Sequence, residues 1–261
     1  PVAPDEVQWD PTTGFVDLEA LRGVDAIIHL AGAGVGDKRW TKKYKAEILN
    51  SRLLGTTAIA NAVNELKPQV FISSSAIGWY GESGNRAVLE TDRAGDDFLA
   101  AVCREWENAA DIATDVRTVK VRTGLVLDPT GGALGKMLPL FRSGLGGKLG
   151  NGKQWWSWIT LHDYIRAIDF LLANDISGPV NLTTPNPVTN QEFTSALARA
   201  MHRPAVLPAP AIALKLALGG FSIEILGSKK VLPQVLTDAG FEFEYPHITS
   251  ALNALVATEV Q

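Results

Sequence analysis

The residues best suited to chemistry lie in Val70-Phe71-Ile72-Ser73-Ser74-Ser75-Ala76-Ile77-Gly78-Trp79-Tyr80-Gly81. An apolar, β-branched run there ends in three hydroxyls, then small residues, then an aromatic-Gly turn. In an open α/β sheet, ligands sit outside the carboxyl ends of parallel strands. A buried strand that finishes in serines is therefore expected to place Ser73 to Ser75 at the mouth of a site, where a hydroxyl can bond an alcohol or keto oxygen. Upstream, Asp25-Ala26-Ile27-Ile28-His29-Leu30-Ala31-Gly32 repeats the design with small residues at the exit. Its continuation through Gly36 reads Gly-x-Gly-x-Gly, too short for the Gly-x-Gly-x-x-Gly turn that opens a dinucleotide fold.

Other constellations carry less. Lys38, Arg39, Lys42, Lys43 and Lys45 surround Trp40 and Tyr44; most such runs are solvated helix faces, but Arg39 is placed to meet a phosphate or carboxylate. Trp155, Trp156 and Trp158 form either a stacking wall or buried packing. Gly147 to Gln154 approaches a phosphate-binding loop, yet Gln154 stands where a Mg²⁺-binding Ser/Thr belongs and no buried strand feeds it. It reads instead as a mobile glycine-rich loop in the substrate region. Ser75, His162 and Asp163 do not make a hydrolase triad, because adjacent His and Asp cannot easily orient one another and Ser75 lacks a Gly-x-Ser-x-Gly elbow. Four scattered histidines and the single Cys103 give no metal-ligand spacing.

The elements that must position these groups alternate along the chain. Periodicity predicts strand Asp25–Leu30, a helix within Lys42–Leu66, strand Gln69–Ser73, a helix within Asp96–Ala113, strand Thr118–Val121, a helix within Leu161–Ala173 and strand Pro179–Leu182. Strands that are apolar throughout, separated by helices, imply a parallel sheet covered on both faces. A short strand is expected near Val7–Trp9. After Leu182 a turn-rich linker leads to a helix capped by Thr189 or Asn190, with Glu192 in its first turn, then to short helices. The expected division is 1–182 and 183–261, the second part a small, mainly helical lobe or lid.

Bulk numbers suit an ordinary enzyme: 261 residues, 46% hydrophobic, 20% charged and net charge -4. That balance gives no reason to expect nucleic acid or an anionic membrane as partner. The expected partner is a small molecule, and the chain a monomer or homodimer. No apolar stretch approaches the ~20 residues of a membrane span. One cysteine fits a reducing compartment, and no signal-peptide pattern opens the chain, so the cytoplasm is expected.

Trp40, Ser51-Arg52, Ser73 to Gly81, Asp97-Phe98-Leu99, Trp106-Glu107, Arg122-Thr123-Gly124, Gly144 to Gly150 and Trp158-Ile159 together resemble an atypical branch of the extended short-chain dehydrogenase/reductase superfamily. That branch is the sugar-nucleotide epimerase-like "epimerase family protein". Asn186 to Asn190, His202-Arg203-Pro204, Leu232-Pro233 and Gly240 to Phe243 resemble its small C-terminal domain of unknown function.

The resemblance implies a Rossmann-like, doubly wound parallel sheet that binds NAD(P) and acts on a substrate such as a nucleotide sugar. By the same resemblance Ser75 polarises the reacting oxygen, and Asp10 lies near the adenine. Leu30, Ala31, Gly32, Arg52 and Ser73 line the cofactor, with Thr123, Gly124 and Leu125 beside the nicotinamide. Tyr80, Arg39 and Trp158 face the substrate. The family's opening Thr-Gly-x-x-Gly-x-x-Gly is not in this sequence, so Pro1 is expected about one βαβ unit into the domain. The superfamily's Tyr-x-x-x-Lys is replaced by Leu99 and Cys103, which leaves the acid/base unidentified. The alternative implied is a non-catalytic, NAD(P)-dependent regulatory protein, since some relatives are linked to cell or organelle division.

Overall fold

The computed structural model describes residues 6–257. The chain enters through a hairpin of β1 (Trp9–Asp10) and antiparallel β2 (Phe15–Val16). β3 (Ala26–His29) leads to α1 (Lys42–Leu66), which Thr41 caps by accepting the Tyr44 N–H. β4 (Val70–Ala76) runs into a 3₁₀ turn over Ile77–Tyr80. β5 (Ala87–Val88) and α2 (Phe98–Ala110), capped by Asp97, come next. β6 (Arg117–Thr123) passes through Gly124 directly into β7 (Leu125–Asp128). α3 (Gly132–Arg142), β8 (Trp155–Trp156), β9 (Trp158–Thr160), α4 (Leu161–Ala173) and β10 (Gly178–Leu182) follow. The rest is β11 (Val188–Thr189), α5 (Asn190–Ala200), α6 (Ala211–Leu218), α7 (Ser222–Leu226), β12 (Lys230–Val231), α8 (Gln234–Asp238) and α9 (Ile248–Ala257).

The central sheet has the order β10-β6-β4-β3, every pair parallel. Side chains alternate across it. Phe71 packs with Ala60, Val63, Ala110 and Ala113 under α1 and α2. Val70 and Ile72 face α4 through Ala167, Ile168 and Leu171. This is the doubly covered, Rossmann-type parallel sheet that the apolar strands predicted. A second core joins β7 and β9 to α3, α5 and α9 through Leu127, Leu138, Trp158, Phe193 and Leu252. Among the described residues β3 is the sheet's outer strand, with Ile28 exposed there.

Two strands continue past their expected ends. β4 extends through Ala76, with Ser73 paired to His29 and Ala76 to Thr123, so the serines lie inside the strand and not beyond it. β6 does not stop at Thr123: Gly124 donates to the Leu182 carbonyl and Leu125 to that of Ser157, and β7 pairs with β9. Among the described residues no helix is long and apolar enough to cross a membrane.

Candidate functional site

Parallel strands bring the exits of β3, β4, β6 and β10 to one side of the sheet. At the β3 exit Leu30, Ala31 and Gly32 are exposed. Arg52, on α1, backs this loop: its guanidinium donates to the carbonyls of Ala33 at 2.9 Å and Ile48 at 3.1 Å and stacks on Trp106 at 4.7 Å. Ser51 fixes the same turn by accepting the Ala33 N–H. A Cβ at Gly32 would come within 3.3 Å of Arg52 Cγ, a tight contact with the cation's side chain. Burial lowers the Arg52 pKa, but an arginine keeps its charge at any ordinary pH.

The C-terminal lobe roofs these exits. Phe221 packs against Trp40, and a Cβ at Gly36 would lie 2.9 Å from its ring. Gly219 and Gly220 admit Arg39 and Trp40 in the same close way. Beyond α7, Ser228 donates its N–H to Glu82 at 2.8 Å and its hydroxyl to the Gly84 carbonyl at 2.7 Å. β12 then pairs with β5. Residues 219–231 therefore bridge the loop after β3 to the loop after β4.

The serine hydroxyls do not face this space as expected. Ser75 is buried and donates to Glu107 Oε1 at 2.7 Å. Glu107 is held by Arg122 in a two-pronged pair, 2.8 and 2.9 Å, and Arg122 lies 3.9 Å over Trp79. Its Nη1 also donates to the Tyr80 hydroxyl, which donates to Asn181 Oδ1 at 2.7 Å. Ser73 is buried on the same face, because residues two apart on a strand share a side. Ser75 thus belongs to a buried polar network, while the buried Ser73 hydroxyl has no hydrogen-bond partner. Tyr80 is likewise interior, its phenol pushed up to about 12 by burial.

Trp158 is fully enclosed in the second core, its indole N–H donating to the Asn186 carbonyl, which is the buried packing the sequence left open. Gly124 and Leu125 spend their N–H groups on the chain. A Cβ at Gly124 would lie 2.7 Å from Thr183 and 2.8 Å from the Ser157 carbonyl. These residues shape the β6–β7 junction. The Thr123 hydroxyl is buried without a hydrogen-bond partner, near Tyr164, whose phenol is raised by burial. Asp10 stands on the β1–β2 hairpin, with Oδ1 taken by the Thr12 N–H and hydroxyl. Arg39 is exposed beside Gly219.

The loop over residues 147–154 is pinned, not mobile. Leu149 donates to Asn190 Oδ1, Gly150 to the Ala209 carbonyl and Lys153 to Asn151 Oδ1. His162 pairs with Glu244, and Asp163 accepts the Glu244 and Tyr245 N–H groups; neither serves a triad. Leu99 and Cys103 are buried on α2. Burial first, then Glu107, pushes the Cys103 thiol up to about 12, so it stays a neutral thiol. Among the described residues no cluster of His, Cys, Asp and Glu is placed to hold a metal ion.

Glu107 and Arg122 lie in sequence motifs, but their pairing with each other and with Ser75 is visible only in the fold. The one available signal was charge at positions where the pattern demands apolar residues.

The NAD dependent epimerase/dehydratase family matches residues 12–183, and a domain of unknown function, DUF1731, matches residues 209–255. An epimerase family protein of Mycobacterium bovis is 43% identical over 256 residues, which is 97% of this chain and 85% of the relative. The crystal structure of human epimerase family protein SDR39U1 with NADPH is similar with a TM-score of 0.88 at 30% identity, over 92% of this chain and 86% of that one. A nucleoside-diphosphate sugar epimerase from Corynebacterium glutamicum is similar with a TM-score of 0.78 at 33% identity, over 98% of this chain and 51% of that one.

Proposed function

This chain belongs to the NAD dependent epimerase/dehydratase family, and from that premise we propose that it holds NAD(P) across its strand exits and works on a carbinol or keto carbon of a nucleotide-sugar-like substrate. The carrying observation is the exposed Leu30–Gly32 segment with the Arg52 cation at its back. A flat, polyanionic dinucleotide fits such a surface: glycine allows close approach, and the guanidinium offsets phosphate charge. The human relative's structure with NADPH supports the same reading.

Leu30, Ala31, Gly32 and Arg52 would hold the cofactor, with Asp10 on the neighbouring hairpin toward the adenine. When bound, the nicotinamide supplies a hydride acceptor and donor. The chain's own part is to orient the substrate under residues 219–231, exclude water there and move a proton at the substrate oxygen. On this reading residues 1–182 carry the cofactor and residues 183–261 cover the substrate, with Arg39 at the seam. Ser75 acts through Glu107 and Arg122, by stiffening the end of β4. The second reading, a nicotinamide-dependent binding or regulatory protein, is favoured by the burial of Leu99 and Cys103, neither of which transfers protons there.

NADPH titration of the full-length protein, followed by fluorescence, tests the proposal. Binding is expected, and Arg52→Ala should weaken it about 10- to 100-fold, the value of a charged hydrogen-bonding partner. Arg52→Lys should restore part of the loss. A wild-type protein that binds neither NADPH nor NADH overturns it.

A further inference from the structure

The chain carries 28 Asp and Glu against 24 Lys and Arg, yet neither residues 129–162 nor residues 193–223 contain a single carboxylate side chain. Together they carry seven Lys and Arg, among them Lys148, Arg199, Arg203 and Lys215. The fold lays the two segments side by side. Leu138 and Phe141 of α3 share the second core with Phe193 and Leu197 of α5. Farther along, Ala209 donates its N–H to the Lys148 carbonyl and accepts from Gly150, and a Cβ at Gly147 would strike the Leu207 carbonyl. The carboxylates that flank these segments are engaged elsewhere. Asp128 is bonded to Thr130 and Asp163 to Arg166. Glu192 closes the α5 capping box, and Glu224 pairs with Lys229.

The same region bears the chain's most exposed apolar groups. Ile212, Val206 and Leu216 are 74%, 72% and 71% exposed, more than any other large apolar side chain among the described residues. Leu140, Leu145 and Leu207 are exposed beside them. In α6 every residue but Lys215 is apolar, and none is buried. A helix apolar all round belongs in a core or in lipid. Ile212, Lys215 and Leu216, at spacing i, i+3 and i+4, share one face of it.

We propose that this region is a peripheral docking surface for an anionic lipid bilayer. Val206, Ile212 and Leu216 enter the boundary between headgroups and acyl chains, while Arg199, Arg203 and Lys215 meet lipid phosphates. It is a surface contact, since no helix among the described residues can span a membrane, and it does not depend on the nicotinamide reading. The net charge of -4 hides it, because attraction reaches only about a Debye length, ~8 Å at physiological salt, and so follows the nearest charges. Two further features select lipid over protein. Cations without carboxylates repel a second copy of the same face, which an isologous dimer would require. The apolar side chains stand proud and do not line a cleft: the neighbouring hollow is walled by Ala198, Arg199, His202, Arg203, Pro204 and Ala205. A protein partner would need a matching recess for each protruding group, whereas a fluid bilayer takes them in any arrangement. The hollow itself suits a phosphate headgroup, because guanidinium groups bind phosphate two-pronged.

Flotation of full-length protein with vesicles tests the proposal, using phosphatidylcholine alone or in equal mixture with phosphatidylglycerol. Binding to the mixture is expected, with none to phosphatidylcholine alone and release by added salt. Ile212→Gln with Leu216→Gln should weaken binding about 10- to 100-fold by removing two aliphatic side chains from the contact. Arg199→Gln with Arg203→Gln should weaken it about 10-fold or more, at roughly fivefold per cation. All four side chains are exposed, so thermal unfolding should stay near that of the wild type. Equal binding to both vesicle types, no binding to either, or unchanged binding by the Ile212/Leu216 pair overturns the proposal. Equally tight capture of wild type and that pair by immobilised poly-L-glutamate, with no response to vesicles, would make the region a site for an acidic polypeptide and overturn it. A dimer in sedimentation velocity that Leu216→Gln disperses would assign α6 to a second copy, and overturns it too.

Discussion

Arg122 is held by every group around it: Glu107 on one side, Tyr80 and the Glu90 carbonyl on another, and the Trp79 ring above. Both charges of the Arg122–Glu107 pair are nearly sealed, at 3% and 4% exposure. Removing one partner strands the other in low dielectric, so Glu107→Ala should cost about 3–5 kcal/mol in denaturant unfolding, far more than Ser75→Ala at about 1 kcal/mol. Equal losses would refute the hierarchy. His29 gives a pH prediction. It is buried edge-on to Trp9, and desolvation pulls its pKa down to about 4 from 6.5. The unfolded chain takes a proton near 6.5 that the folded chain refuses until about 4, so stability falls as pH drops through that window. The full loss is on the order of 3 kcal/mol, and His29→Gln should flatten that part of the stability-against-pH curve.

At the level of elements, helical periodicity was legible: α1 and α4 fill the expected ranges, and Thr189 caps α5 with Glu192 closing a capping box. Thr189→Ala should accordingly cost about 1 kcal/mol in thermal unfolding, while Thr189→Ser costs little. Strand ends were less legible. Three consecutive serines announce hydroxyls, but which face each takes depends on how far the strand runs, and β4 runs to Ala76. Nothing local marks the continuation of β6 into β7 either, since its partner β9 lies far along the chain. The exposure of Leu30 to Gly32 was readable because small residues follow the strand there. The Ser75–Glu107–Arg122 network was not, because its members come from β4, α2 and β6 and meet only in the fold.

For the whole molecule, burial separates the residues that hold the fold from those that decorate it. Leu252 is fully buried in the second core, whereas Ile212 and Leu216 on α6 are 74% and 71% exposed. Leu252→Ala should lose about 2–5 kcal/mol; Leu216→Gln should change stability by less than about 0.5 kcal/mol. A reversal would mean that α6 is covered in the native protein. The roof has a consequence in time as well as in space. Its ties are among the most distant in the chain, Ser228 to Glu82 spanning 146 residues, while β3 and β4 pair across a single helix. Closing long loops is slow and late. During synthesis the sheet and the Arg52 loop can therefore assemble first, leaving the cleft open to water until residues 219–231 arrive. A newborn chain would bind its dinucleotide before it could do anything with it.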